Sequence, residues 1–338
     1  MLYQPIFALI AVQFLFGGLP VASKFVLPYA HPMTVVVTRS LFASLFFLIL
    51  MLLDGFLRTK RNAETASVAN SSQTSRAHLT AKDHLTLMML AFFGVTFNQS
   101  ALFVALPKTS ASITSIISPS IALFTLLFSL ILGREKFEKS TLLVILLGAL
   151  GVFVVVNPFQ AHNIANPYGG ETWANMLNVS SAASYAFYLA LAGSLPAQIG
   201  TIRFSLMFFF YGFVLNLVVL GGYMIAVAHQ WLPTPTTALL PNALTTLPTS
   251  FWSGLAYLLL GATALTYFLN MWAIQRVRPS YVGGFVCLQT IIGLYLSKRI
   301  LHEELSARMI TGSLMILTAI VLLTFLYIRR SRQKEITA

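Results

Sequence analysis

Apolar runs long enough to cross a bilayer recur from one end of this 338-residue chain to the other. A helix needs about 17 to 25 apolar residues to span the hydrocarbon core. Ten runs meet that measure: 5–27, 33–53, 84–106, 109–132, 140–157, 172–195, 203–227, 251–274, 279–300 and 307–328. Hydrocarbon offers no partner to a backbone N–H or C=O, so each run must satisfy its own backbone as a helix. Charged residues make up only 9% of the chain, against about 25% in an ordinary soluble domain. The expected fold class is therefore an all-α integral membrane protein with ten transmembrane helices.

Two connections are longer than the rest. Residues 54–83 are polar, Ser/Thr/Asn/Ala-rich in the middle, and read as a flexible loop that cannot bury a core. Residues 228–250 are rich in Pro and Thr and carry no Lys or Arg. The start of the chain, Met1 to Pro5, has no basic residue, so the first run reads as a retained helix rather than a cleaved leader.

The net charge of +12 would suggest nucleic acid in a soluble protein. Here the basic residues sit between the runs, where they orient the chain in the membrane. With the N-terminus inside, 15 of the 21 Lys and Arg fall on the cytoplasmic side. Five lie in 54–83, with Arg134, Lys136, Lys139, Arg203, Arg276 and Arg278 further on and four more in the tail. The expectation is a multi-pass protein of the inner membrane with both termini cytoplasmic.

Ten helices divide into two sets of five, and an odd set gives halves of opposite orientation. The best internal match lies at an offset of 168 residues, with identities at Ala105/Ala273, Ser112/Ser280, Leu126/Leu294, Ser129/Ser297 and Glu135/Glu303. The expected organisation is a repeat over 1–158, an inverted repeat over 159–328, and a basic tail over 329–338. Inverted repeats belong to secondary transporters, whose sites lie near the midplane between the halves.

At these residues the chain resembles an EamA-type member of the drug/metabolite transporter superfamily. The first run carries Gly17-Gly18-x-Pro20, read as a break, and Arg39 opens the second. A small-residue stretch, Ser110–Ser118, leads through Pro119 to Gly133-Arg134-Glu135, and then to Leu147-Gly148-Ala149-Leu150-Gly151. The block from Ala273 to Leu323 echoes it, with two departures. Cys287 stands where the family often has a second proline, and the glycine before Glu303 is displaced. The resemblance implies two inverted five-helix repeats and movement of a small metabolite across the cytoplasmic membrane.

Charged and amide residues at membrane depth are the candidate site. A charge there costs roughly 2.5–3.5 kcal/mol on insertion scales, so Lys24 and Arg39 need a reason to be present. Lys24 can also lift its ammonium to the nearby interface. Gln13, Asn98, Gln99, Ser115, Asn178, Tyr185, Tyr188, Tyr267, Asn270 and Gln289 complete the expected substrate-binding set. Each can equally serve as an interhelical hydrogen bond. Ala182, Ala186 and Ala190, with Gly148 and Gly151, read as close helix packing. Glu135 and Glu303 read as caps for the helices that follow them.

All nine acids lie in loops, in the tail or at helix ends. A cationic solute or a carboxylate proton relay needs an intramembrane Asp or Glu. The expectation is thus a neutral, zwitterionic or anionic metabolite, amino acid-like or nucleoside- or S-adenosyl-like, moved by alternating access as facilitated diffusion or exchange. The competing reading is an intramembrane lipid- or metabolite-modifying enzyme. Against it, the sequence holds no Walker loop, His-Glu-x-x-His helix or Gly-x-Ser-x-Gly elbow. The single Cys287 excludes an intrachain disulfide or a cysteine metal site. No cofactor, metal or nucleic acid is expected. The expected partners are a small-molecule substrate and the lipid bilayer, for a monomer or weak homodimer.

Overall fold

The computed structural model describes residues 3–64, 79–135, 138–157, 170–193, 195–231, 247–274 and 279–337. Among these residues the regular structure is helical throughout. The helices are α1 (Tyr3–Val26), α2 (Pro32–Glu64), α3 (Ala81–Lys108), α4 (Ala111–Ile131), α5 (Lys139–Val156), α6 (Glu171–Ala192) and α7 (Thr201–Ala228). They continue as α8 (Thr249–Ala256, Tyr257–Leu265 and Thr266–Ile274), α9 (Pro279–Ile300) and α10 (Ala307–Thr337). A short helix, Leu195–Ile199, leads into α7. Eight described segments, all but α6 and α9, are long and apolar enough to cross a membrane. Their outward faces carry bare Phe7, Ile49, Leu52, Leu143, Val218 and Leu314, a surface that only lipid would cover.

Local chemistry explains several boundaries. α3 begins three residues before its sequence-expected start because Thr80 and Asp83 form a capping box. The Thr80 hydroxyl accepts the Asp83 N–H at 3.3 Å, and the Asp83 carboxylate accepts the Thr80 N–H at 2.8 Å. α2 continues to Glu64, so the first eleven residues expected in the 54–83 loop are helical. The middle of that loop, 65–78, and most of the other long connections lie outside the described residues, as do Lys136, Arg276 and Arg278. The expected basic tail is a continuation of α10 as far as Thr337.

The break expected in the first run is absent, for α1 passes through Pro20 as one helix. α4 does interrupt at Ser118 and Pro119. Proline has no N–H for the carbonyl four residues back, which is Ser115. The Thr290 hydroxyl of α9 donates to that carbonyl at 3.1 Å instead. α9 itself, with Cys287 at the place corresponding to Pro119, runs unbroken.

α3 and α8 each widen to π-helical turns near mid-span, at Phe92–Phe97 and Tyr257–Leu265. The most extensive pairings are α5 with α10, α2 with α7, α1 with α8 and α9, and α6 with α3 and α4. The α5–α10 crossing is backbone to backbone. A Cβ on Gly151 would lie 3.0 Å from the Gly312 carbonyl, and one on Gly312 would lie 2.9 Å from the Gly151 carbonyl. Ala182, Ala186 and Ala190 are all buried, as a packing stripe requires.

Candidate functional site

A cavity of about 100 Å³ opens between α1, α3, α4, α6, α8 and α9. Its polar wall is Asn98, Gln99, Thr114, Ser118, Asn178, Ser181, Tyr185, Tyr267 and Gln289. Its apolar wall is Phe16, Leu19, Pro20, Leu102, Ile121 and Ala182. None of these lining residues is charged. A few oriented polar groups on apolar walls is the usual make-up of a small-molecule site.

The amides are held by their neighbours. Asn98 Nδ2 donates to the Ser181 carbonyl and hydroxyl, each at 2.9 Å, and the Ser181 hydroxyl donates to the Asn98 carbonyl at 2.8 Å. Asn178 Nδ2 donates to the Thr114 hydroxyl at 2.8 Å. Tyr185 and Tyr267 join through their hydroxyls. Gln99 Oε1 accepts from Arg39 Nη1 at 2.5 Å.

Arg39 stands behind this wall, with only 3% of its surface exposed. Its Nε donates to the Thr263 hydroxyl at 3.0 Å, and Nη2 lies 3.5 Å from the Ala262 carbonyl. Its guanidinium sits 4.9 Å from the Phe103 ring centroid. Thr263 and Ala262 belong to the widened turns of α8, and Gln99 follows those of α3. Among the described residues Arg39 has no carboxylate partner.

Of the twelve residues expected at the site, six line the cavity: Asn98, Gln99, Asn178, Tyr185, Tyr267 and Gln289. Lys24 does not. Its ammonium donates to the Leu106 and Thr109 carbonyls at 2.7 and 2.5 Å. It thereby caps the end of α3, where unpaired carbonyls attract a cation. Tyr188 is stacked on Phe208 in the core, with ring centroids 4.7 Å apart. The Ser115 hydroxyl donates to the Ala111 carbonyl, and Ser115 is not among the lining residues. Gln13 is buried on α1 with its Oε1 unpartnered, and Asn270 is half-buried one turn beyond Tyr267. Neither lines the cavity.

The expected set omitted the apolar walls and, from the polar wall, Thr114, Ser118 and Ser181. The usable signal was helical spacing. Leu102 follows Gln99 by three residues, and Ser181 follows Asn178 by three.

One end of the bundle is cross-tied. Glu303, beyond α9, accepts the N–H groups of Ala111 and Ser112, both at 2.8 Å. The sequence suggested that it caps the helix after it, but it caps α4. Thr109 donates to Asn175 Oδ1, and Arg308 pairs with Glu171 at 3.4 Å. At the other end Arg134 donates to the last carbonyls of α6, Ala190 and Leu191.

A helical bundle that is apolar toward lipid and polar around an internal cavity defines a multi-pass membrane protein. Residues 4–157 match the EamA-like transporter family. YetK of Bacillus subtilis (strain 168), described as an uncharacterized transporter, is 26% identical over 226 residues. That match covers 67% of this chain and 63% of YetK, so it spans less than two thirds of the relative. A WAT1-related protein of Arabidopsis thaliana is 21% identical over 333 residues, 91% of this chain and 81% of that protein. One solved crystal structure is similar over 96% of this chain and 99% of its own, with a TM-score of 0.58 and 14% identity, a likeness of fold alone.

Proposed function

We propose that this chain is a secondary transporter that carries one small neutral, zwitterionic or anionic metabolite, amino acid-like or nucleoside- or S-adenosyl-like, through the cavity by alternating access. The observation that carries this reading is the lining of the cavity. Its uncharged polar groups come from both halves of the chain, and polar ties shut one end of the bundle beyond it. With no carboxylate on the wall, a cation has no counter-charge and a proton has no relay. Facilitated diffusion or exchange follows.

Ten transmembrane helices in two inverted repeats, 1–158 and 159–328, are part of the proposal, with α6 and α9 as the two spans of lower hydropathy. Three features support it. The helix pairings exchange into one another when α1 to α5 are swapped for α6 to α10. The widened turns at 92–97 and 257–265 fall at corresponding depths of α3 and α8. The Glu135 N–H reaches the Ser129 carbonyl at 3.2 Å, and the Glu303 N–H reaches the Ser297 carbonyl at 3.3 Å, as the 168-residue offset requires. The proposed setting is the inner membrane with both termini cytoplasmic, which puts the Glu303 end outside.

The test is flux. Purified protein in liposomes should accelerate movement of a solute that stabilises it, down that solute's gradient and chemically unchanged. Appearance of a new product would mark an enzyme instead.

A further inference from the structure

The hydrogen bonds around the cavity fix which atom three of its four amides, Asn98, Gln99 and Asn178, turn toward the open space. Arginine has donors and no acceptor. Gln99 must therefore give Arg39 its oxygen, as the 2.5 Å contact has it, and its NH₂ is left over. A backbone carbonyl only accepts, so Asn98 must give the Ser181 carbonyl its nitrogen, and its oxygen is left over. The Thr114 hydroxyl already donates to the Ser110 carbonyl at 3.2 Å, so it accepts from Asn178, whose oxygen is also left over. These assignments follow from the network and not from an arbitrary choice of amide flip. No described group meets these three leftover atoms.

The cavity is therefore polarised. Acceptors stand on the Asn98 and Asn178 side. Asn98 spends both of its N–H groups on Ser181 and Asn178 spends one of its two on Thr114, so Gln99 alone among the three amides has its whole NH₂ left over, and a buried, carboxylate-free guanidinium polarises it from behind. A hydrogen-bond chain that starts from a cation strengthens the donor at its far end.

We propose that Gln99 is the specificity-determining contact of this cavity, taking a carboxylate of the solute. Arg39 is a positioning residue that acts through Gln99 and never touches the solute. This deepens the transport reading and rests on it for the word solute. The contact itself concerns binding.

The experiment is thermal stabilisation of the full-length protein by matched acid and amide pairs: leucine and leucinamide, lactate and lactamide, benzoate and benzamide, nicotinate and nicotinamide. At least one acid should bind about tenfold or more tighter than its amide, the scale of one charged hydrogen bond. Gln99→Glu is isosteric and keeps an oxygen on Arg39, but turns a second oxygen to the cavity. It should abolish the acid preference and favour the amide. Gln99→Met and Arg39→Met should each bring the ratio toward one, a change in selectivity that a purely structural role would not produce. No acid preferred over its amide, or a preference unchanged in Gln99→Glu, overturns the proposal. Flux is read separately: an acid bound with preference but not moved in liposomes leaves Gln99 in its role and removes the transport reading.

Discussion

The carboxylate of Glu303 accepts the backbone N–H of Ser112 at 2.8 Å, from 191 residues further along the chain. Its other oxygen holds Ala111 at the same distance. Both bonds join the proposed second half to the first turn of α4 in the first. Alternating access requires such bonds to break in every cycle.

Glu303→Gln should loosen this end. The amide can accept through one oxygen, but its NH₂ faces an N–H, so at least one charge-assisted bond is lost, about 1.5–3 kcal/mol. In a Cys287→Ser background, a cysteine at cavity residue Ser118 should react at least about tenfold faster with an impermeant thiol reagent from outside. Arg134→Met removes ties to Ala190 and Leu191 at the opposite end and should slow that labelling. Equal rates in all three proteins would separate these ties from gating.

Thr290→Val should destabilise the protein by about 0.5–1.5 kcal/mol, the usual range for hydrogen bonds between membrane helices. The loss arises because Pro119 leaves the Ser115 carbonyl without a donor from its own helix. In a Pro119→Ala background the backbone N–H that the substitution restores can take that carbonyl, and Thr290→Val should cost little. Melting of the four proteins in detergent closes the cycle. Equal losses in both backgrounds would dissociate Thr290 from the proline.

Gly151→Leu should separate α5 from α10 and cost about 1–3 kcal/mol, as overpacking does. Gly221→Leu is the control, since nothing lies within 4 Å of a Cβ built there. A matched fall in melting temperature for both variants would show that the Gly151–Gly312 approach is not what decides the loss.

The proposed topology, which rests on charge asymmetry, has 54–83 inside and 228–250 outside. In cells expressing single-cysteine variants, impermeant reagent should reach Cys at Thr237 and spare Cys at Ser71. The reverse pattern would invert the topology, and with it the side that Glu303 closes.

What the sequence made legible was set by short-range physics. Run length and the rarity of charge gave the helices, though the run 109–132 reads as continuous and its interruption at Ser118 and Pro119 is not expected. Amides and tyrosines at membrane depth pointed to six of the nine residues of the cavity's polar wall. Partners remote in the chain stayed hidden. Nothing local to Arg39 announces Gln99, 60 residues on, or Thr263, 224 residues on. Lys24 looked like a site charge because its true partners are two backbone carbonyls, which leave no trace in side-chain pattern. Asn270 and Tyr267 share a helix face, yet one lies a turn beyond the cavity, and depth along a helix is not a property of periodicity.

The widened turns of α3 and α8 make chain length itself a functional quantity. Each residue in a helix is worth about 100° of rotation. Deleting one residue between Phe92 and Phe97 would swing Asn98 and Gln99 more than a quarter circle relative to the start of α3, while leaving a run still apolar and still long enough to span. Such a chain would insert into its membrane and have its best polar groups aimed into neighbouring helices. Substitution within these stretches can drift freely so long as size and polarity hold; insertion and deletion cannot.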